Sequence, residues 1–372
     1  MTRFELQPVV RSALPDVAAF LHRWRGSEAD GLPEPVPDIE RRLRWLLVDN
    51  PEVTADSTIG YCLRDGLGVI KGLNLCFPVA FLSAGKRPLG LCSGSFFVEP
   101  AARSMGFYLF KKYLSVPGYS FYFASTCNTS SSQLWRSMGG RPVPNSETEY
   151  VLPLRLDVVM PALVAARTSN QVAAGMARIG GRSANPILRL LTRSAAKLAI
   201  EPCRDWEKLS ELFRRHRCPD DITTDRSSAL LEWRYGPGSP AYPCCVYLFR
   251  DELGNEGWFS LGELTHGEGA ELREAVLLDA IWPREQMSFK RIFREIVRVA
   301  SASADTIIFR WQPGLDYSKY SRCTIPKKLG APRAFVSVPK GAPHISLNTL
   351  DYDDSDYIAW RFQWPGELKT GL

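Results

Sequence analysis

The sequence predicts an α/β chain of two similar domains, each a mixed, mostly antiparallel sheet flanked by helices, joined by a basic helical linker. Three observations carry this reading. First, a strand over residues 89–98, rich in small, aromatic and β-branched residues, turns at Val98-Glu99-Pro100-Ala101-Ala102-Arg103-Ser104-Met105-Gly106 into a helix. The apolar face of that helix is Phe107, Leu109, Phe110, Tyr113 and Leu114. Second, the order of elements around this junction recurs roughly 195 residues later, the signature of a duplication. Third, residues 155–198 hold Arg155, Arg167, Arg178, Arg182, Arg189, Arg193 and Lys197 against Asp157 alone, a surplus equal to the formal net charge of +6. The expected domains are residues 1–154, a linker over 155–198, and residues 199–372.

Residues 4–9 alternate as a first strand. Leu14, Val17, Ala18, Phe20 and Leu21 then fall at helical spacing, with Ser12 placed to cap and Pro15 in the first turn. A Pro/Gly/acid loop over 26–37 leads to a second helix over 39–48, stopped near Asp49-Asn50-Pro51. Strands follow at 58–65 and 68–84, around the turn Arg64-Asp65-Gly66. After the junction come a buried strand at 120–126, a short helix at 130–138 ending at Gly139-Gly140, and a strand at 147–154 that closes the first half.

Composition sets limits on function. With 45% hydrophobic and 23% charged residues over 372 positions, the chain is long enough for two cores. No apolar run approaches the ~20 residues that span a bilayer. The opening MTRFELQPVV lacks the design of a signal peptide, so a cytoplasmic location is expected. Nine cysteines stand singly apart from Cys244-Cys245, and His22, His216, His266 and His344 lie far apart. Neither a zinc site nor a disulfide framework is expected from such spacing.

The junction is the stretch with chemistry in it. A strand that turns tightly into a helix aims free backbone N–H groups at one point, and the helix dipole adds positive potential there. Gly106 lets a ligand approach the backbone with no Cβ in the way. The turn resembles the acyl-CoA-binding loop of the GNAT N-acyltransferase superfamily, in which Arg or Gln, two residues, Gly, one residue and then Gly or Ala follow a strand ending Val-x-Pro. Val98, Pro100, Arg103 and Gly106 match in register, whereas Ser104 and Tyr108 depart from it. The resemblance continues through Asn128, Ser131, Leu134, Met138 and Gly139, so it covers about residues 4–154.

This resemblance implies a GNAT-like fold and acetyl-CoA or another acyl-CoA as co-substrate. The expected contacts are Phe97, Val98, Arg103, Ser104, Met105, Gly106, Phe107, Tyr108 and Asn128. The implied reaction needs no metal: donors along the splayed strand near 95–98 hold the thioester carbonyl while an amine attacks. Among Cys92, Ser93, Ser95 and Glu99 on or beside that strand, Glu99 is the only carboxylate, and it reads either as a solvated loop acid or as the base. The family's proton-donating tyrosine aligns with Trp135, whose indole N–H does not release a proton at a useful pKa. Cys127, Tyr108 and Tyr122 are the candidate replacements.

The linker alternates its arginines with Val, Met, Ile and Leu, and Gly180-Gly181 and Pro186 predict a break into short helices. It reads either as helices packed on the domains or as a peripheral membrane surface. Without interleaved aromatics, nucleic acid is not an expected partner. In the second half, 230–235 echoes 43–47, and strands are predicted at 244–250, 257–263, 272–281, 306–312, 333–339 and 356–363, with a helix at 288–299.

The second junction, Trp282-Pro283-Arg284-Glu285-Gln286-Met287-Ser288, has no glycine. This half is therefore expected to shape the acceptor pocket rather than to bind CoA. Trp233, Trp258, Trp282, Trp311 and Tyr317 read either as sugar-stacking residues or as core. The tandem arrangement also resembles FemAB-like transferases. The expected function is transfer of an acyl, foremost acetyl, group to an amine of a sugar, amino acid or small metabolite. The alternatives are an inactive pair acting as a scaffold and an aminoacyl-tRNA-dependent transferase.

Overall fold

The computed structural model describes residues 4–26, 35–167, 171–192, 198–240, 243–266, 272–310, 315–339, 346, 347 and 350. The first sheet begins with β1 (Glu5–Pro8), β2 (Gly60–Arg64), β3 (Ile70–Leu82), β4 (Leu89–Val98) and β5 (Phe121–Ala124), followed in the chain by β6 (Arg141–Pro142) and β7 (Thr148–Pro153). Helices α1 (Leu14–Gly26) and α2 (Val36–Leu47) cover one face, and α3 (Gly106–Tyr113) and α4 (Thr129–Ser137) the other. Then come α5 (Leu156–Arg167), α6 (Gln171–Thr192), β8 (Ala199–Pro202), α7 (Trp206–His216), β9 (Thr223–Thr224) and α8 (Ser228–Tyr235). The chain continues with β10 (Cys244–Arg250), β11 (Glu256–His266), β12 (Leu272–Ile281), α9 (Phe289–Ala300), β13 (Thr306–Arg310), β14 (Ile325–Lys328) and β15 (Phe335–Ser337).

The two sheets exchange strands. The first runs β1-β2-β3-β4-β5-β15-β6, and the second β14-β7-β13-β12-β11-β10-β8. The strand expected to close the first sheet, β7, thus lies in the second, antiparallel to β13 through Thr306↔Pro153 to Arg310↔Glu149. Conversely, β15 of the second half enters the first sheet between β5 and β6. Burial explains both moves: Leu152 and Leu154 fill the second core beside Ile307 and Phe309, while Phe335 fills the first beside Trp135. Residue 154 therefore divides the chain but not the sheets. The strand expected at 356–363 lies outside the described residues, as do most of the 26–37 loop and Trp311.

Both halves share a three-layer plan. Helices α1 and α2 pack on the first sheet through Leu14, Val17, Leu43 and Leu46, and α7 and α8 pack on the second through Leu209, Phe213 and Leu231. Local chemistry sets the ends. Asp205 caps α7 by accepting from Lys208 N at 3.0 Å, and Asn128 and Ser131 form a reciprocal capping box on α4. The halves meet where β9 pairs with β3, where Arg87 bridges Glu52 and Asp225, and where Trp45 stacks on Trp233.

The linker differs from expectation. Instead of breaking at Gly180-Gly181, α6 runs as one 22-residue helix antiparallel to α5. Gly181 is the contact: a Cβ there would lie 2.4 Å from the Leu156 carbonyl oxygen. Asn185 then clasps the start of α5, its Oδ1 accepting from Leu156 N at 2.8 Å and its Nδ2 donating to Asp157 at 2.7 Å. That bond, opposed by burial and aided by Arg155, holds the Asp157 carboxyl below its ordinary value of 3.8. A lowered folded-state pKa contributes stability that is present above the ordinary value and is lost as pH falls through the lowered one. Protection of α6 amides, corrected for intrinsic exchange, is expected to hold at about pH 5 and fall below about pH 4. Equal protection across that window would exclude the clasp. No helix among the described residues is long and apolar enough to cross a membrane.

Candidate active site

Strands β4 and β5 are parallel but pair only from Gly90↔Phe121 to Cys92↔Phe123. Beyond Cys92 they part, and residues 93–98 of β4 have no β5 partner. Backbone polar groups on that edge need water or a ligand. The fork coincides with a bulge: Cys76 faces Ser93 and Leu75 faces Ser95, so Gly94 is the extra residue. A Cβ on Gly94 would press to 3.0 Å on the Phe77 ring.

At the apex of the fork, the Tyr113 hydroxyl lies 2.7 Å from the Leu91 carbonyl and 3.1 Å from that of Phe123. Its single proton ties the two strands together. Burial, with Cys92 and Cys76 nearby, pushes this phenol well above its ordinary pKa, so it serves as a strut and not as an acid. Two further polar groups sit beside the fork. Ser93 donates to Asn74 Oδ1 at 2.8 Å, which leaves the buried Asn74 Nδ2 without a partner, and the buried Ser125 Oγ has none either. Asn74 escaped the sequence reading because it stands singly in the apolar run of β3. Its signal was that isolation.

The turn after β4 is more helical than expected. Residues Pro100–Met105 form a 3-10 helix that continues into α3, with Pro at its first position pre-setting the backbone. Ala102 N donates to Glu99 O and Gly106 N to Arg103 O, so these two N–H groups are occupied rather than free. Gly106 itself is helical, at φ −58° and ψ −37°, and buried. A Cβ there would meet only Val98 at 3.5 Å and Phe96 at 3.6 Å, which is ordinary contact. Neither conformation nor packing within the chain therefore requires a glycine at 106.

The remaining site residues divide. Arg103, Ser104, Phe107 and Tyr108 are exposed on the turn, the two rings edge to face at 6.1 Å. Phe97 packs on Trp24 at 5.7 Å, and Val98 and Met105 pack around Leu63 and Ala102. Glu99 turns toward β3, pairing with Lys71 Nζ at 3.1 Å while its N–H donates to the Lys71 carbonyl at 2.9 Å. That is the edge of β4 opposite the fork. Cys127 is buried just past β5, its N–H donating to Arg333 O at 2.8 Å, and Asn128 is spent on the α4 cap through its Oδ1. Tyr122 donates to Val116 O at 2.6 Å, and burial raises its pKa. Trp135 is core, 4.9 Å from Phe110 and stacked on Phe335.

The second half repeats the fork and fills it. Strands β12 and β13 pair from Glu274↔Thr306 to Val276↔Ile308, and a bulge follows opposite Ser260 and Leu261. Just past it, Arg226 forms a two-pronged bond to Asp279 at 2.5 and 3.1 Å, with both side chains 2% exposed. Arg226 also donates to Thr224 O at 2.8 Å and lies over the Phe213 ring, and Arg284 of the second junction pairs with Asp221 at 3.3 Å. A buried pair is costly to desolvate. Arg226→Met combined with Asp279→Leu is expected to leave stability in denaturant at or above that of the wild type. A clear loss would mean that the pair itself stabilises the fold. Trp258, Trp282 and Tyr317 are core in this half rather than exposed sugar platforms, because each is buried among its neighbours.

Neither a protein-family model nor a curated protein sequence matches the chain. Solved structures do. A protein of unknown function from Enterococcus faecalis, described as a probable N-acyltransferase, aligns at TM-score 0.56 and 10% identity over 91% of this chain and 73% of its own. N-myristoyltransferase of Saccharomyces cerevisiae, solved with bound myristoyl-CoA, aligns at 0.55 and 12% over 94% and 84%. A GCN5-related N-acetyltransferase from Kribbella flavida aligns at 0.54 and 12% over 91% and 71%. With its forked, bulged strand leading into the Arg-x-x-Gly turn, and with the same plan repeated across two sheets, the chain has the fold of the GNAT superfamily of N-acyltransferases.

Proposed function

We propose that the protein is an acyl-CoA-dependent N-acyltransferase whose first-half fork holds the thioester. The observation that carries this is Gly106: it is a glycine at a helical, uncrowded position, on the turn fed by an unpaired strand edge. Such a glycine makes sense if a ligand must lie against the backbone. The structural neighbours, among them one solved with myristoyl-CoA, support the same reading. A CoA thioester as donor is in keeping with a cytoplasmic location.

In this reaction the acceptor amine attacks the thioester carbonyl carbon, a C–N bond forms, and the C–S bond breaks as CoA thiolate departs. Donors near the bulge at Gly94 would stabilise the oxyanion. The ammonium proton passes to water, since Glu99 is paired with Lys71 on the edge of β4 opposite the fork, and the thiolate takes a proton from Cys127, Tyr108 or solvent. A loss of kcat at unchanged CoA affinity in Cys127→Ala or Tyr108→Phe identifies the donor. Phe96 and Phe97 are both committed to packing, on Phe110 at 5.9 Å and on Trp24 at 5.7 Å. Aromatic walls at the fork favour a short acyl group, so acetyl is the proposed donor group, with an amine of a sugar, amino acid or small metabolite as acceptor. Calorimetry with CoA, acetyl-CoA and myristoyl-CoA tests this: acetyl-CoA is expected to bind in the micromolar range and myristoyl-CoA more weakly. Binding of none of the three overturns the proposal.

A further inference from the structure

We propose that the α5–α6 hairpin is a docking surface for an anionic lipid bilayer. Val172, Met176, Ile179 and Ile187 recur at helical spacing on one face of α6, and each is 63–70% exposed. Met160 of α5 adds to the exposed apolar surface of the hairpin. The orientation is fixed rather than incidental. The opposite face of α6 is held to α5 by Gly181 and the Asn185 clasp, and Leu188 on that face is buried. A helix whose inner face is already packed has no core reason for four large apolar side chains on its outer face. Exposed apolar side chains gathered on one helix face in this way mark an interaction site.

Charge identifies the occupant. Arg178 and Arg182 are exposed on α6, and the sequence carries no Asp or Glu anywhere from residue 158 to residue 200. An apolar stripe with a basic flank and no acids is the pattern of a helix lying in the plane of a negatively charged membrane surface. A second copy fits less well. In a two-fold pair each patch meets its own image, so arginines would face arginines with no acid to pair them. Five apolar side chains are also far short of the roughly 20–30 residues a side of a stable protein interface. The hairpin would bind in the plane of the bilayer, since none of its helices is apolar enough to cross it.

The test uses the full chain and vesicle sedimentation, with phosphatidylcholine vesicles and with mixed phosphatidylcholine–phosphatidylglycerol vesicles. The protein is expected to sediment with the mixed vesicles, weakly or not at all with phosphatidylcholine alone, and less at about 0.5 M salt. Ile179→Asp, and separately Arg178→Glu with Arg182→Glu, are each expected to weaken this binding by about tenfold or more. Both change exposed positions, so their melting temperatures should match the wild type. No binding to mixed vesicles, equal binding to both vesicle types, or binding indifferent to these substitutions overturns the proposal. So does a solution dimer that Ile179→Asp dissociates, which would assign the face to a second copy.

Discussion

Gly106→Ala is expected to leave the free protein as stable as the wild type, or more stable, while weakening CoA at least about tenfold. The two halves of this expectation have separate causes. In the free chain the position is helical, and a Cβ would rest at 3.5 Å from Val98 and 3.6 Å from Phe96. Removing the backbone freedom of glycine from a helix is worth about 0.5–1 kcal/mol, so melting should rise slightly. In the proposed complex, the same methyl group would hinder the approach of the pyrophosphate to the first turn of α3. Losing one or two charge-assisted backbone contacts costs about 1.5–3 kcal/mol each, roughly tenfold or more in affinity. Gly106→Trp should abolish binding, and the alanine variant guards against a trivial folding defect. Thermal melts and calorimetry on the same samples check both halves. If the alanine variant binds CoA as tightly as wild type, the turn is not where the phosphates go.

The fold was largely legible because its signals are local. The strand over 89–98, the Pro-x-x-Arg-x-x-Gly turn and the helix after it follow from side-chain period and punctuation within about 25 residues. The repeat was legible in the echo of 43–47 by 230–235. What the sequence hid is non-local. Thr148–Pro153 has the pattern of a buried strand whichever sheet receives it, so its pairing with β13 rather than with β5 left no trace in its own residues. The same holds for Phe335–Ser337. Gly180-Gly181 read as a breaker because glycine is a poor helix former, yet Gly181 is where α6 meets the Leu156 carbonyl. At the site, the turn and the splay were anticipated from motif residues. The ties across space were not: Glu99 to Lys71, Asn74 to Ser93, and Tyr113 to both strands of the fork. Hydrogen-bond partners distant in sequence are set by topology, which composition and period do not encode.

Trp45→Ala and Trp233→Ala are each expected to cost about 3–5 kcal/mol, and together about 1–3 kcal/mol less than the sum. Trp45 in α2 and Trp233 in α8 occupy corresponding places in the two halves, and their rings stack 4.5 Å apart at 18°. Each indole N–H donates to the backbone carbonyl of the other residue, Trp45 to Trp233 at 3.0 Å and Trp233 to Trp45 at 3.1 Å. The contact is thus its own image under exchange of the halves, as a duplication joined about a pseudo-two-fold axis requires. Removing either ring removes the stack and one N–H, and leaves one carbonyl without its indole donor, while the second indole keeps its bond to the other residue's backbone carbonyl. The second truncation then no longer loses the stack, so a double-mutant cycle in denaturant should return a coupling of about 1–3 kcal/mol. Trp→Phe at each position keeps much of the stack and loses only the N–H, and should cost about 1–2 kcal/mol. Additivity within about 0.5 kcal/mol would show that the rings merely fill space. Strong coupling would identify the pair as the joint that sets the angle between the two sheets. If the second half shapes the acceptor pocket, as its sequence leads one to expect, Trp45→Phe should then raise KM for the acceptor while leaving CoA affinity, assigned by the proposed function to the Gly106 turn, unchanged.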